Sequence, residues 1–424
     1  MQPLSLPDKF LIMTSKFTYQ CSDCGKQIPA GEIVYLCPDC STKQQPGQPP
    51  LGVLKVIYDY YAMSELSFRE LEENSFLQLL PITDQKNFPN LRVGHTPLYE
   101  IDALDGQVDD FELYLKDDSQ NPTFSFKDRA SALVSAFAKE KGIDTIVAAS
   151  TGNAGSSLAG ICAAQGQKAI IFVPSTAPKA KLTQIMMYGA TLVPVAGNYD
   201  TAFDLSIAAT KRFGWYNRNT AFNPLTIEGK KTVSFELFSQ LNEQVPDFIF
   251  VPVGDGVIIS GVYKGFEDLL ELGIIERMPV IIAVQAAGSC NLVENIGREE
   301  FRITPSETIA DSISVDIPRN FHMAARYITK YHGQTITVSD DDILRASSIL
   351  AKNTGIFTEP AAAAAFAGFL DYKNRYLIPK SSTNVVLLTG SGLKDLGAVQ
   401  SLFEIPLPVS PDMHSVEEFL NGKI

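Results

Sequence analysis

The sequence is short of positive charge: 35 lysines and arginines stand against 48 aspartates and glutamates, a net of −13. A nucleic acid or an anionic membrane surface would need a clustered basic face, so neither is expected as a partner. A small anionic ligand is still compatible, because its site needs only a few local donors. No run of about 18 apolar residues occurs, so no membrane-spanning helix is expected. The first residues, MQPLSLPDKFLIMTSKF, lack the basic start and apolar core of a signal peptide. The expectation is a cytoplasmic protein. Histidine is scarce too: His95, His322, His332 and His414 fall outside every motif and read as structural or surface residues. Neither a dinucleotide G-x-G-x-x-G nor a Walker loop is present, which leaves a nicotinamide or nucleotide site unsupported.

The 424 residues suffice for two or three domains at about 150 residues each, and 45% hydrophobic with 20% charged is the composition of a folded chain. Four of the six cysteines, Cys21, Cys24, Cys37 and Cys40, are spaced C-x2-C-x12-C-x2-C. Two such knuckles can each turn two thiolates toward one tetrahedral Zn²⁺, with Gly25 and Pro38 as turn residues. A metal-free knuckle is the alternative, and a disulfide framework suits a secreted chain better than this one. Cysteine would fill every position of the tetrahedron, so the expected zinc is structural. Cys162 and Cys290 stand alone and read as small buried residues.

From Thr145 onward, short apolar runs alternate with helix-length segments: TIVAAS, AIIFVP, TLVPVA, FIFVPV, VIIAVQ and NVVLLTG. They are apolar almost throughout, as strands buried on both faces are, and the intervals leave room for helical crossovers. An α/β fold with parallel sheets follows. Ser41–Pro50, STKQQPGQPP, is a polar, proline-rich break between domains. Unusual sequences sit at strand carboxyl ends (STGN, GDGV and GSGLKD), where open α/β sheets bind ligands.

Three clusters carry chemistry. In Asn121-Pro-Thr-Phe-Ser-Phe-Lys-Asp-Arg129, Lys127 lies beside Phe126 at the start of a helix. The positive helix end and the apolar neighbour both disfavour its ammonium form, leaving the neutral amine that a Schiff base needs. Taken alone, a surface pair between Lys127 and Asp128 or a neighbouring carboxylate is the simpler reading. Ser150-Thr-Gly-Asn-Ala-Gly-Ser156 is a strand-to-helix turn whose free amides suit a carboxylate or phosphate, although an ordinary capped turn fits equally well. Gly254-Asp-Gly-Val-Ile258 and Thr389-Gly-Ser-Gly-Leu-Lys-Asp395 let backbone approach an anion, each weak evidence by itself.

In order along the chain, NPTFSFKDR, ASTGNAGS, IEGKKTVSFEL, VPVGDG, TEPAAAA and LLTGSGLKD resemble the threonine synthases, pyridoxal-phosphate enzymes of the tryptophan-synthase-β type. The likeness spans Val93 to Asp395, and the cysteine-rich start followed by LKVIYDY resembles the amino terminus of many members. It implies an α/β fold of two open, mostly parallel-sheet domains of that type, with the cofactor between them and a zinc-ribbon-like segment in front. Residues 1–50 would form the ribbon and linker, 51–130 and 223–424 the large cofactor-binding domain, and 131–222 a smaller mobile domain. Lys127 would carry pyridoxal 5'-phosphate as a Schiff base and serve as the base at the substrate's Cα. Phe126 would pack beside the ring, Asn153 bond its hydroxyl oxygen, and Thr389 meet the pyridine nitrogen. The loop of Gly254, Asp255, Gly256, Val257 and Ile258 would hold the cofactor phosphate through backbone amides. Ser150, Thr151, Gly152 and Ala154 would bind the substrate, receiving its α-carboxylate. A homodimer is a further family expectation. A hydroxyl at Thr389 supplies no negative charge to keep the pyridine nitrogen protonated, which suits elimination and replacement better than transamination.

The chain also departs from the family pattern. Phe124 stands where NPTGSFKDR has glycine, and Ala154 where a hydroxyl residue is usual. Against NSxNPxRxEG, Ala221 replaces a serine and Thr226 replaces the arginine expected to grip a substrate phosphate. The cofactor loop GNxGN becomes Gly254–Ile258 with aspartate in second place. The expected activity is that of a threonine synthase, converting O-phosphohomoserine and water to L-threonine and phosphate. One alternative is β-elimination or β-replacement on an unphosphorylated amino acid, as in a serine/threonine ammonia-lyase. The other is a non-catalytic amino-acid sensor on the same scaffold, against which the intact Lys127 argues.

Overall fold

The computed structural model describes residues 16–421, apart from the side chains of Ala180 and Lys181. Residues 1–15 and 422–424 lie outside the described residues, and with them nearly all of the stretch read for a signal peptide.

The chain opens with β1 (Phe17–Cys21), β2 (Gln27–Pro29) and β3 (Leu54–Tyr58). Phe17, Tyr19 and Cys21 alternate inward along β1, and Leu54, Val56 and Tyr58 along β3, the period of a half-buried strand. They form an antiparallel sheet in the order β2-β1-β3, with Phe17 opposite Tyr58. Thus Leu54–Tyr58, placed by the sequence after the linker, closes the sheet that the ribbon begins.

β4 (Leu98–Glu100) and β5 (Glu112–Asp117) follow, and the chain then builds a second sheet from β6 (Thr145–Ala149), β7 (Lys168–Pro174), β8 (Thr191–Val195) and β9 (Tyr216–Asn217). All pairs in this four-stranded sheet, ordered β8-β7-β6-β9, are parallel. The chain returns through β10 (Phe248–Pro252), β11 (Val280–Ala286), β12 (Gln334–Val338) and β13 (Thr383–Leu388) to complete a six-stranded sheet, β12-β11-β10-β13-β5-β4. Only the edge pair β4–β5 is antiparallel there. Helices cover the central strands, and β10 and β13 are buried almost end to end, whereas the run TLVPVA, expected to be buried on both faces, forms the edge strand β8 and is buried only at Val195. The fold is α/β with mostly parallel sheets, as expected.

Helix Leu225–Gln240 is buried on nearly every side, against helices Lys127–Glu140 and Val257–Glu271. Glycine permits this closeness. A Cβ on Gly229 would lie 2.3 Å from the Arg129 carbonyl oxygen, and one on Gly265 2.4 Å from that of Lys231. Glu236, which this helix carries inward, is matched. Arg129 donates to Glu236 Oε1 at 2.6 Å and to Asp118 Oδ2 at 2.6 Å, and Lys116 reaches Glu236 Oε2 at 2.8 Å. Among the described residues no helix is long and apolar enough to cross a membrane.

Candidate functional site

Three parallel strands end on one cleft, the usual place for a ligand in such sheets. β6 runs through Ser150, Thr151 and Gly152 into helix Asn153–Gln165, and β10 through Gly254, Asp255 and Gly256 into helix Val257–Glu271. β13 leads to Thr389 and the turn that follows. Backbone bonds knit the motifs together. The Phe126 N–H donates to the Thr389 carbonyl at 2.9 Å, Ser391 N–H to Phe124 O at 3.1 Å, and Glu359 N–H to Gly390 O at 3.1 Å. A Cβ on Gly390 would stand 2.4 Å from Glu359 Oε1, so a side chain there would displace that carboxylate.

Lys127 opens helix Lys127–Glu140. Its sequence neighbour Asp128 does not pair with it: that carboxylate accepts from the Thr123 N–H at 2.7 Å and from Thr123 Oγ1 at 2.5 Å. The surface pair with Asp128 that was part of the simpler sequence reading is therefore not made. The Lys127 ammonium is disfavoured, first by burial and further by Arg218, with Glu359 and Asp255 opposing. Burial leads the shift that was expected from the helix end and the apolar Phe126 together. Phe124 occupies the left-handed region at φ 68°, a conformation that glycine adopts most readily.

Asn153 opens helix Asn153–Gln165 and points across the cleft. Its Nδ2 donates to Glu359 Oε1 at 2.9 Å and Oε2 at 3.0 Å, while Ser312 Oγ donates to Oε2 at 3.2 Å. Burial pushes the Glu359 carboxyl up, against Lys127 and these donors. Glu359 was missed as a site residue although TEPAAAA was noticed. The available signal was a glutamate at the N-cap, directly before a helix-opening Pro360.

Residues 90–390 match the family described as pyridoxal-phosphate dependent enzyme. The threonine synthase of Methanocaldococcus jannaschii is 36% identical over 411 residues, which is 95% of this chain and 98% of that protein. That of Methanosarcina acetivorans is 33% identical over 413 residues, with the same coverage of both. This chain belongs to the threonine synthase family of pyridoxal-phosphate-dependent lyases. Solved structures agree on the fold. Threonine deaminase isoform 2 of Solanum lycopersicum superposes with a TM-score of 0.60 at 23% identity, covering 70% of this chain and 84% of that one. The L-serine ammonia-lyase of Rhizomucor miehei gives 0.61 at 23%, covering 73% and 97%.

The residues fit the cofactor of a threonine synthase. Lys127, Thr389, Glu359 and the loop Gly254–Ile258 line one cavity with Lys230, Thr220 and Ser312. Gly256, at φ 81°, turns the loop into the helix, whose first free N–H groups are of the kind that can receive an anion. Gly254 cannot carry a side chain, because its Cβ would lie 2.9 Å from Ile313 Cα. The Asp255 carboxylate turns aside from the loop and accepts from the Arg319 N–H at 3.1 Å. Ser150, Thr151, Gly152 and Ala154 sit together at the β6 turn, where Ser150 Oγ accepts from the Gly152 N–H at 3.3 Å.

The departures from the family pattern are visible in place. Thr226 is fully buried, and its hydroxyl donates to the Asn223 carbonyl at 2.7 Å. Ala221 is buried at φ 60°. Three cations that were given no role from the sequence lie around the cleft: Arg218 and Lys230, both fully buried, and Lys394. Lys394 Nζ donates to Ser156 Oγ at 2.8 Å, to Gln184 Oε1 at 2.7 Å and to the Thr123 carbonyl at 3.2 Å. Burial pushes its pKa down to about 8. Arg218 had no local signal, since its surroundings depend on residues far along the chain.

Away from the cleft, the sulfurs of Cys21, Cys24, Cys37 and Cys40 lie within 4.8 Å of one another. A tetrahedron with Zn–S bonds near 2.3 Å has edges of about 3.8 Å, so the cluster could hold a zinc ion with small adjustments. All six cysteines are free thiols, and Cys162 and Cys290 are buried as expected.

Proposed function

We propose that the enzyme converts O-phospho-L-homoserine and water to L-threonine and inorganic phosphate. The observation that carries the reading is near-full-length likeness to named threonine synthases, joined to Lys127 at the meeting point of three strand ends. Pyridoxal phosphate, when bound, supplies an electron sink for negative charge developing at the substrate's Cα. Lys127 would hold the cofactor, and its amine, whose ammonium form burial disfavours, would take and return the Cα proton. Phe126, Asn153 and Thr389 would contact the ring, and the amides from Gly254 to Ile258 its phosphate. Ser150, Thr151, Gly152 and Ala154 would fix the α-carboxylate at the start of helix Asn153–Gln165. Closure of the smaller domain would control water at the reacting carbon. The reading extends to a homodimer, on family likeness, and to the cytoplasm, where six free thiols would persist.

A specific observation favours a second reading. Thr226, with its hydroxyl turned to Asn223, and Ala154, with no hydroxyl, supply none of the phosphate contacts of the family pattern. An ammonia-lyase acting on serine or threonine would not need them. Incubating the enzyme separately with O-phospho-L-homoserine and with L-serine or L-threonine decides between them. Phosphate release with threonine formation is expected, and keto-acid release instead would establish the second reading. Lys127→Ala should abolish both the visible absorption of the holoenzyme and its turnover.

A further inference from the structure

Two cations are buried at this cleft with less than a cation's usual company. Arg218 follows β9, at the carboxyl end of the smaller sheet, and is 0% exposed. Its Nε donates to Ser131 Oγ at 3.2 Å and its Nη1 to Thr220 Oγ1 at 3.3 Å, while Nη2 meets no partner. Lys230 is 1% exposed, and its Nζ donates to the Thr226 carbonyl at 3.1 Å. Lys230 and Thr220 both line the cavity that holds Lys127.

A buried cation without a carboxylate partner is costly, and two at one cleft call for an anion. The nearby acids are engaged elsewhere: Asp255 with the Arg319 amide, Glu359 with Asn153 and Ser312, and Asp128 with Thr123. Arg218 and Lys127 add to burial in depressing Lys230, and only Asp255 opposes them. The position of Lys230 is informative. It lies four residues after Thr226 on helix Leu225–Gln240, and helical side chains lean toward the amino terminus, over the preceding turn. Its ammonium is therefore set back over Thr226, the place where the family pattern carries an arginine. The cation has moved by one helical turn.

We propose that Arg218 and Lys230 together bind the phosphate of the substrate, doing the work of the missing arginine at position 226. Resting on the reading above, this names the groups that select a phosphorylated amino acid. The cofactor's own phosphate would be received by the amides of Gly254–Ile258, on the wall of the cavity that Lys230 also lines. Arg218 approaches from the smaller sheet and Lys230 from the central helix, so a phosphate between them also joins the two sides of the cleft.

The test compares holoenzyme with its Arg218→Gln and Lys230→Gln variants. Each variant should raise KM for O-phospho-L-homoserine, and the inhibition constant of inorganic phosphate, by roughly 30-fold or more, the scale for losing one partner of a buried charge pair. Pyridoxal-phosphate affinity, measured by equilibrium dialysis with visible absorbance, should fall by much less than the two phosphate-dependent constants change. Unaltered KM and phosphate inhibition in both variants would overturn the assignment. So would an equal loss of cofactor affinity, which would give the cations to the cofactor instead. If the parent enzyme releases no phosphate from O-phospho-L-homoserine, the proposed reaction fails. Inorganic phosphate binding that both variants lose would then still support the anion site.

Discussion

Asn153 and Glu359 face each other across the cleft, the amide nitrogen donating to both carboxylate oxygens at 2.9 and 3.0 Å. One belongs to the helix after β6 and the other to the segment before helix Pro360–Asn374, so the pair ties the two parallel sheets together at the site. Removing the amide would leave a buried carboxyl with little beyond Ser312. Asn153→Ala should cost about 1–3 kcal/mol in urea unfolding. Asn153→Asp should cost more near neutral pH, because two carboxylates would stand at hydrogen-bond distance. An Ala variant as stable as the parent would show that the pair contributes nothing.

The glycine of IEGKKT has a steric role. Gly229→Ala would push a Cβ to 2.3 Å from the Arg129 carbonyl and 2.7 Å from Ala130 Cα, both backbone atoms that cannot yield cheaply. Overpacking of this kind costs about 1–3 kcal/mol, and here it would also shift Lys127, two residues before Arg129. The expected result is lower stability together with weaker cofactor retention. Gly31→Ala, where nothing lies within 4 Å, is the control and should change neither.

Lys394 predicts a pH dependence of stability. Its pKa of about 8 lies below the ordinary 10.5, so between these values the unfolded chain binds more protons than the folded one. Stability therefore rises with pH across that window, and the contribution is lost as pH falls through 8. The full effect is about 3 kcal/mol. Lys16, also lowered to about 8 by burial, adds a similar slope. Lys394→Met should remove part of the rise in urea midpoints measured from pH 7.5 to 10.5. A variant with the parent's full slope would refute the assignment.

Zinc in the cysteine cluster should be measurable as one ion per chain. Cys37→Ser, at a fully buried ligand position, should release it and lower the melting temperature. The ribbon shares its sheet with β3, whose Tyr58 hydroxyl donates to Glu228 Oε2 at 2.7 Å, so the loss should reach the central helix. Carefully prepared protein without zinc would refute the site.

Much of the cleft was legible before any coordinates. The glycine turns, Lys127 beside Phe126 and the six apolar strands announce themselves through spacing that spans only a few residues. Glu359 was half legible, as a residue inside a noticed motif that had no visible partner. Lys230, inside the noticed IEGKKTVSFEL, had no visible role, because a lysine in a helical segment looks like a solvated one until its neighbours are known, and Arg218 was not legible at all.

The amino-acid sequence by itself determined the local chemistry of this protein: which apolar runs become strands, where chain reversals need glycine, and where four thiols can converge. Each follows from periodicity or fixed spacing within one segment, and short-range sterics enforce it. Only the tertiary structure decided which distant groups meet. It sets Asn153 against Glu359, 206 residues away, carries β3 back to the ribbon, and leaves one Arg218 nitrogen without a partner. Burial and hydrogen-bond satisfaction are properties of the packed whole, and they turned an arginine missing at Thr226 into a question about Arg218 and Lys230.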